Sequence, residues 1–81
     1  MPLGLSIDPK QLVGREPERL SYAERMALAG MWIAVELYDP KTLPLRRIEA
    51  VGSTVEDCIR ELSTRGKDPT RYEYTLMKPL P

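Results

Sequence analysis

The chain contains no histidine and only one cysteine, Cys58. Without histidine it lacks the commonest general base and any triad built on one. A lone cysteine cannot form an internal disulfide, and with no histidine beside it a conventional zinc site is nearly excluded. Excess charge is also missing. Twelve basic residues balance twelve acidic ones, four of each in residues 1–30 and eight of each in residues 31–81. No part of the chain therefore carries the basic footprint expected of a nucleic-acid or anionic-membrane binder. No apolar run approaches the roughly 18 residues of a membrane span. The first residues, Met1 to Ser6, lack the basic and long apolar regions of a secretion signal. A single thiol without an export signal leads us to expect a cytoplasmic protein. At 81 residues the chain has room for one domain with a thin core, so self-association or a partner is expected to supply added stability.

What is present reads as a small α+β fold. Residues 1–20 carry Pro2, Pro9 and Pro17 with Gly4 and Gly14. These break regular structure and predict an irregular arm, either loose or laid over the domain by Leu3, Leu5, Ile7, Leu12 and Val13. Ser21 and Glu24 form a capping-box pattern opening a short helix over 21–29, with Gly30 placed to end it and Tyr22, Met26 and Ala29 along one face. From about 31 to 38 the chain alternates: Met31, Ile33, Val35 and Leu37 against Trp32, Ala34, Glu36 and Tyr38, a strand signal. Asp39 to Pro44 reads as a loop, and 45–51 as a second strand with Ile48 and Ala50 turned inward and Arg47 and Glu49 outward.

The clearest element follows at about 54–65. Ser53 is placed to cap it and Glu56 to complete a capping box. Val55, Cys58, Ile59 and Leu62 fall at i, i+3, i+4 and i+7, one apolar stripe. Glu56–Arg60 and Glu61–Arg65 have the spacing of supporting ion pairs, and Gly66 ends the helix. Tyr72 to Met77 is a third strand with Tyr72, Tyr74 and Leu76 on one side, and Pro79 and Pro81 prevent further pairing. The order predicts a three-stranded sheet, β-β-α-β, with the main helix on one face and a short helix and arm before it.

One helix covers one face of such a sheet. The other is expected to show Trp32, Ala34, Tyr38, Val51 and Met77 among Glu36, Arg47, Glu49 and Glu73. Tryptophan and tyrosine concentrate at interfaces, so the question of function becomes what covers that face: the arm and short helix, a second copy, or another protein. Trp32, Tyr38, Arg47 and Met77 are the candidate contact residues.

The chemical candidates are few. Glu36, Glu49 and Glu73 could serve as acid and base, but Arg47 lies among them, and structural ion pairs across the strands are the expected reading. Cys58, on an apolar stripe and away from a helix N-terminus, reads as a packing thiol rather than a nucleophile. Arg46 and Arg47, adjacent on a strand, face opposite ways and make no phosphate patch. The Lys78–Pro81 tail lacks the spacing of a polyproline ligand, and Gly52-Ser53-Thr54 is an ordinary helix entry. No cofactor, metal or small-molecule substrate is implied.

Residues 30–79 resemble an uncharacterised family of small prokaryotic proteins. The resemblance lies in Gly30-Met31-Trp32-Ile33-Ala34-Val35, Gly52-Ser53-Thr54-Val55-Glu56-Asp57 and Arg65-Gly66-Lys67-Asp68-Pro69. It implies a ββαβ fold and carries no activity; the Asp39–Pro44 loop and the N-terminal extension depart from it. Leu45–Leu62 is also similar to antitoxins of the HicB type, which pair with a small RNA-cutting toxin. The leading expectation is a non-enzymatic interaction module acting through a homodimer or one protein partner. The alternative is an antitoxin-like or nucleic-acid-linked regulator.

Overall fold

The computed structural model describes residues 7–37 and 46–79. Tyr38, the Asp39–Pro44 loop, Leu45 at the start of the expected second strand, the first six residues and the last two lie outside them. The fold is the expected α+β arrangement. Helix α1 spans Tyr22–Ala27, strand β1 Trp32–Glu36, β2 Ile48–Gly52, helix α2 Val55–Thr64 and β3 Tyr72–Leu76. Single 3-10 turns at Pro9–Leu12, Pro17–Arg19 and Pro69–Arg71 each begin with proline, whose fixed φ suits a first helical position.

The sheet order is β2-β1-β3, with β1 antiparallel to both neighbours. β1 is central because it is buried on both faces: Ile33, Ala34 and Val35 in succession are 2%, 0% and 5% exposed. β2 and β3 therefore run parallel to each other on either side of it, joined through α2.

The two faces hold two separate clusters. On one, Leu12, Leu20 and Leu28 from the N-terminal segment pack on Ile33, Val35, Ile48 and Val51, with Met31 and Met77 at the margin. On the other, Cys58 and Leu62 of α2 lie over Ala34 and Ala50, flanked by Trp32, Tyr72 and Tyr74. This corrects the face assignment made from the sequence. Trp32 and Ala34 belong to the α2 side, whereas Val51 and Met77 lie under the arm. Alanines explain the choice of side: Ala34 and Ala50 leave room for a helix to come close, while Ile33 and Val35 are bulky enough to hold a loose arm of leucines.

A bulge at Glu49 makes this possible. The register steps from Ala34↔Ala50 to Val35↔Ile48, so β2 has one residue more than β1 at that point. Ile48 and Ala50 are both fully buried, but in opposite clusters, where a regular strand would put them on one face. The carbonyl of Glu49 accepts a hydrogen bond from the Arg65 guanidinium at the end of α2.

Several local expectations change. The cap of α2 is Thr54, whose hydroxyl accepts from the Asp57 N–H at 3.1 Å, rather than Ser53 with Glu56. The apolar stripe is narrower than its spacing implies: Cys58 and Leu62 are fully buried, but Ile59 is 37% exposed. The i,i+4 ion pairs give way to others, with Arg60 on Asp57, Glu61 on Lys10 and Arg65 on Glu49. The capping box at α1 forms as expected, Ser21 and Glu24 each bonding the other's backbone N–H. Yet α1 buries none of its own residues. Tyr22 and Met26 face solvent, and the contribution to the core comes from Leu20 and Leu28 on either side of it. Leu37, expected inward, lies beyond the end of β1 and is exposed.

Candidate functional site

The two edges of the sheet differ. The outer edge of β2 is closed by the chain itself. Ile48 donates its N–H to the Arg15 carbonyl at 2.9 Å and accepts from the Gly14 N–H at 2.7 Å. Val51 donates to Glu61 Oε1 at 3.4 Å, and its carbonyl accepts from Lys10 Nζ at 2.6 Å. Lys10 also reaches Glu61 at 3.2 Å, tying the arm to α2.

β3 has no such cover among the described residues. Met77 N–H donates to the Met31 carbonyl and Leu37 N–H to the Arg71 carbonyl. With the register Ile33↔Thr75 and Val35↔Glu73, alternation directs the backbone groups of Arg71, Glu73, Thr75 and Met77 toward β1. Those of Tyr72, Tyr74 and Leu76 point outward, and among the described residues nothing bonds them. An exposed row of N–H and C=O groups is a template for strand pairing.

The side chains along this edge suit contact. Tyr72, Tyr74 and Leu76 share the α2 side with Trp32, because directly paired residues share a face and Leu76 stands opposite Trp32. α2 lies chiefly over β2 and β1, so the β3 end of this face is only partly covered. Trp32, Tyr72 and Tyr74 are half-buried and Leu76 is 39% exposed. The Tyr74 hydroxyl donates to the Pro69 carbonyl at 2.7 Å, which fixes its ring along the strand. Burial raises the ionisation of both tyrosines above the ordinary phenol value. On the arm side a cleft of about 330 Å³ opens beside β3, lined among others by Ile33, Val35, Thr75 and Met77, with Arg46 and Glu73.

The candidate contact residues do not make one patch. Trp32 joins the aromatic row. Met77 is half-buried on the opposite face and packs against the arm cluster. Arg47 is exposed just before β2, and Tyr38 lies outside the described residues. Reading the sequence named Tyr72, Tyr74 and Leu76 as one side of a strand but did not single them out. The usable signal was the alternation of Tyr72, Tyr74 and Leu76 itself, with Pro79 ending the strand just beyond it.

The chemical candidates are dispersed. Glu73 pairs with Arg46, which also donates from Nε to the Glu36 carbonyl at 3.0 Å. Glu49 stands 3.8 Å from Arg65. Val35 is paired with Glu73 and Glu36 follows it, so Glu36 and Glu73 lie on opposite faces. Cys58 is fully buried. Its Sγ–H donates to the Trp32 carbonyl at 3.5 Å, and burial, with the Glu61 charge adding to it, pushes the thiol up to about 11. A second cleft, about 570 Å³, lies along the outer flank of α2 between Lys10, Asp57, Arg60, Glu61 and Arg65, and these charges are already paired with one another or with Glu49. Among the described residues no group of three or more acidic, cysteine or histidine side chains could hold a metal ion, and no helix is long and apolar enough to cross a membrane.

Comparison with protein-family models, with curated proteins and with solved structures finds no match to this chain. It is a small α+β domain whose sheet is closed along the β2 edge and, among the described residues, open along the β3 edge.

Proposed function

We propose that this protein works by contact, as a non-enzymatic module that takes up a protein strand along β3, either from another copy or from one other protein. The observation that carries this reading is the outward row of Tyr72, Tyr74 and Leu76 main-chain groups next to a half-covered aromatic face. Strand addition of this kind draws affinity from main-chain hydrogen bonds and selectivity from the alternating side chains. The arm lowers the need for a partner on the Ile33 and Val35 face, because it already covers that face, and so it concentrates the reading on β3.

Trp32 is the single tryptophan, and it stands opposite Leu76, one strand in from this edge. Its emission is a direct reporter. Docking of a strand on β3 shifts Trp32 fluorescence to shorter wavelength and slows hydrogen exchange at the amides of Tyr72, Tyr74 and Leu76. Should those three amides exchange at unprotected rates at every concentration and in the presence of every copurifying protein, the contact reading fails.

A further inference from the structure

We infer that the occupant of the β3 edge is a second copy of this chain, the two β3 strands running antiparallel about a two-fold axis at Tyr74. The inference rests on the contact reading above and names its partner. Its first support is register. The open main-chain groups of β3 belong to Tyr72, Tyr74 and Leu76, evenly spaced about Tyr74. Pairing centred there sets Tyr72 against the partner's Leu76, Tyr74 against the partner's Tyr74, and Leu76 against the partner's Tyr72. Every open N–H of one strand then meets an open C=O of the other. A slip that opposes Tyr72 to the partner's Tyr74 leaves Leu76 without a β3 partner and brings the two Glu73 carboxylates face to face. The opposite slip sets Tyr72 against Lys78, which lies beyond the end of β3, and loses the central tyrosine–tyrosine pair.

Side chains and charge agree with the same register. On the α2 side the cross-strand pairs are tyrosine with leucine and tyrosine with tyrosine, the aromatic and aliphatic combinations that stabilise adjacent strands. On the arm side Glu73 meets Thr75 and Arg71 meets Met77, so no like charges are opposed. The product is one antiparallel sheet in the order β2-β1-β3-β3-β1-β2. Its outer strands are the two β2 strands, whose edges Gly14, Arg15, Lys10 and Glu61 already close. Pairing through β3 thus removes the last open edge from the described sheet and gives a closed, isologous dimer. A foreign strand would satisfy the same backbone groups without needing β3 to be complementary to itself.

Two variants test the register. Leu76→Pro removes an N–H that makes no bond to β1, on an edge where proline is tolerated. It should leave far-UV dichroism unchanged and raise the dimer dissociation constant about tenfold or more, since it deletes a hydrogen bond and disturbs a cross-strand pair. Independently, Glu73→Cys mixed with Thr75→Cys under a mild oxidant should cross-link as a heterodimer far faster than either variant alone. Directly opposed positions of this type bring Cα atoms to about 4.5 Å, within disulfide range, and the buried Cys58 does not compete. A dimer that cross-links at other positions overturns this inference but keeps the contact reading. A monomer whose β3 amides are protected by a different protein does the same. A monomer with unprotected β3 amides overturns both.

Discussion

Gly52 lies against Asp57 so closely that a Cβ added at Gly52 would sit 2.5 Å from the Asp57 Cβ and 3.2 Å from the Cys58 nitrogen. The end of β2 and the first turn of α2 touch through backbone, and only glycine allows it. Gly52→Ala is therefore expected to push α2 off the sheet and cost about 1–3 kcal/mol, measured as a lowered denaturation midpoint with an unchanged slope.

Leu12 is a sharper probe of the arm than any residue of α1. It is 3% exposed and packs with Ile33, Val35, Ile48 and Val51. Leu12→Ala should destabilise by about 2–5 kcal/mol. Removing residues 1–20 altogether should leave only Leu28 of the three leucines on that sheet face, with strong binding of a hydrophobic dye and loss of a cooperative melt.

The position of the α2 cap can be read by a pair of variants. Thr54→Ala removes the hydroxyl that takes the Asp57 N–H and is expected to cost about 1 kcal/mol. Ser53→Ala, one residue earlier and exposed, should stay within about 0.5 kcal/mol of the parent. Denaturant titrations distinguish the two.

Cys58 should be silent toward thiol reagents at neutral pH in the native state and react at once in denaturant, because its thiol is buried and held up to about 11. The same shift acts on stability at high pH. The folded state holds this proton more tightly than the unfolded state, so the contribution is fully present below the ordinary thiol value of 9.0 and is lost as pH rises toward about 11. A thermal melt series should show stability falling across that interval, and Cys58→Ala should flatten the fall.

Acid should act through the opposite sign. The Ser21 backbone N–H holds the Glu24 carboxyl below its ordinary value, helped by Arg15; Arg60 does the same for Asp57, and the Thr70 hydroxyl for Asp68. The folded state binds these protons less tightly, so their contribution is present above the ordinary carboxyl range near pH 4 and is lost as pH falls through the depressed values. Melting temperature should drop in that acid window, and Glu24→Gln should lower the plateau while making the acid limb shallower.

Elements with a local signature were legible in the sequence. The capping box at Ser21 and Glu24, the alternation of β1 and the α2 periodicity each depend on residues within a few positions of one another, and each forms where expected. Facing was not legible, because it depends on a comparison across the fold. Trp32 and Ala34 read as the outward set, yet Ala34 and Ala50 together form the shallow side that accepts α2. The Glu49 bulge hid a second fact: it separates Ile48 from Ala50, and no property of the two residues signals that they part. The candidate edge was half legible. Its prolines and alternating aromatic residues are plain, but their openness follows from β1 taking the centre of the sheet, which strand spacing alone does not decide.

The described arm is made before the strands it covers. During synthesis Leu12 and Leu20 leave the ribosome with nothing to rest on, and their seat exists only once β1 has paired with β2 through a hairpin encoded downstream. Folding therefore closes backward onto an earlier segment, and until it does, those leucines stay exposed to a chaperone.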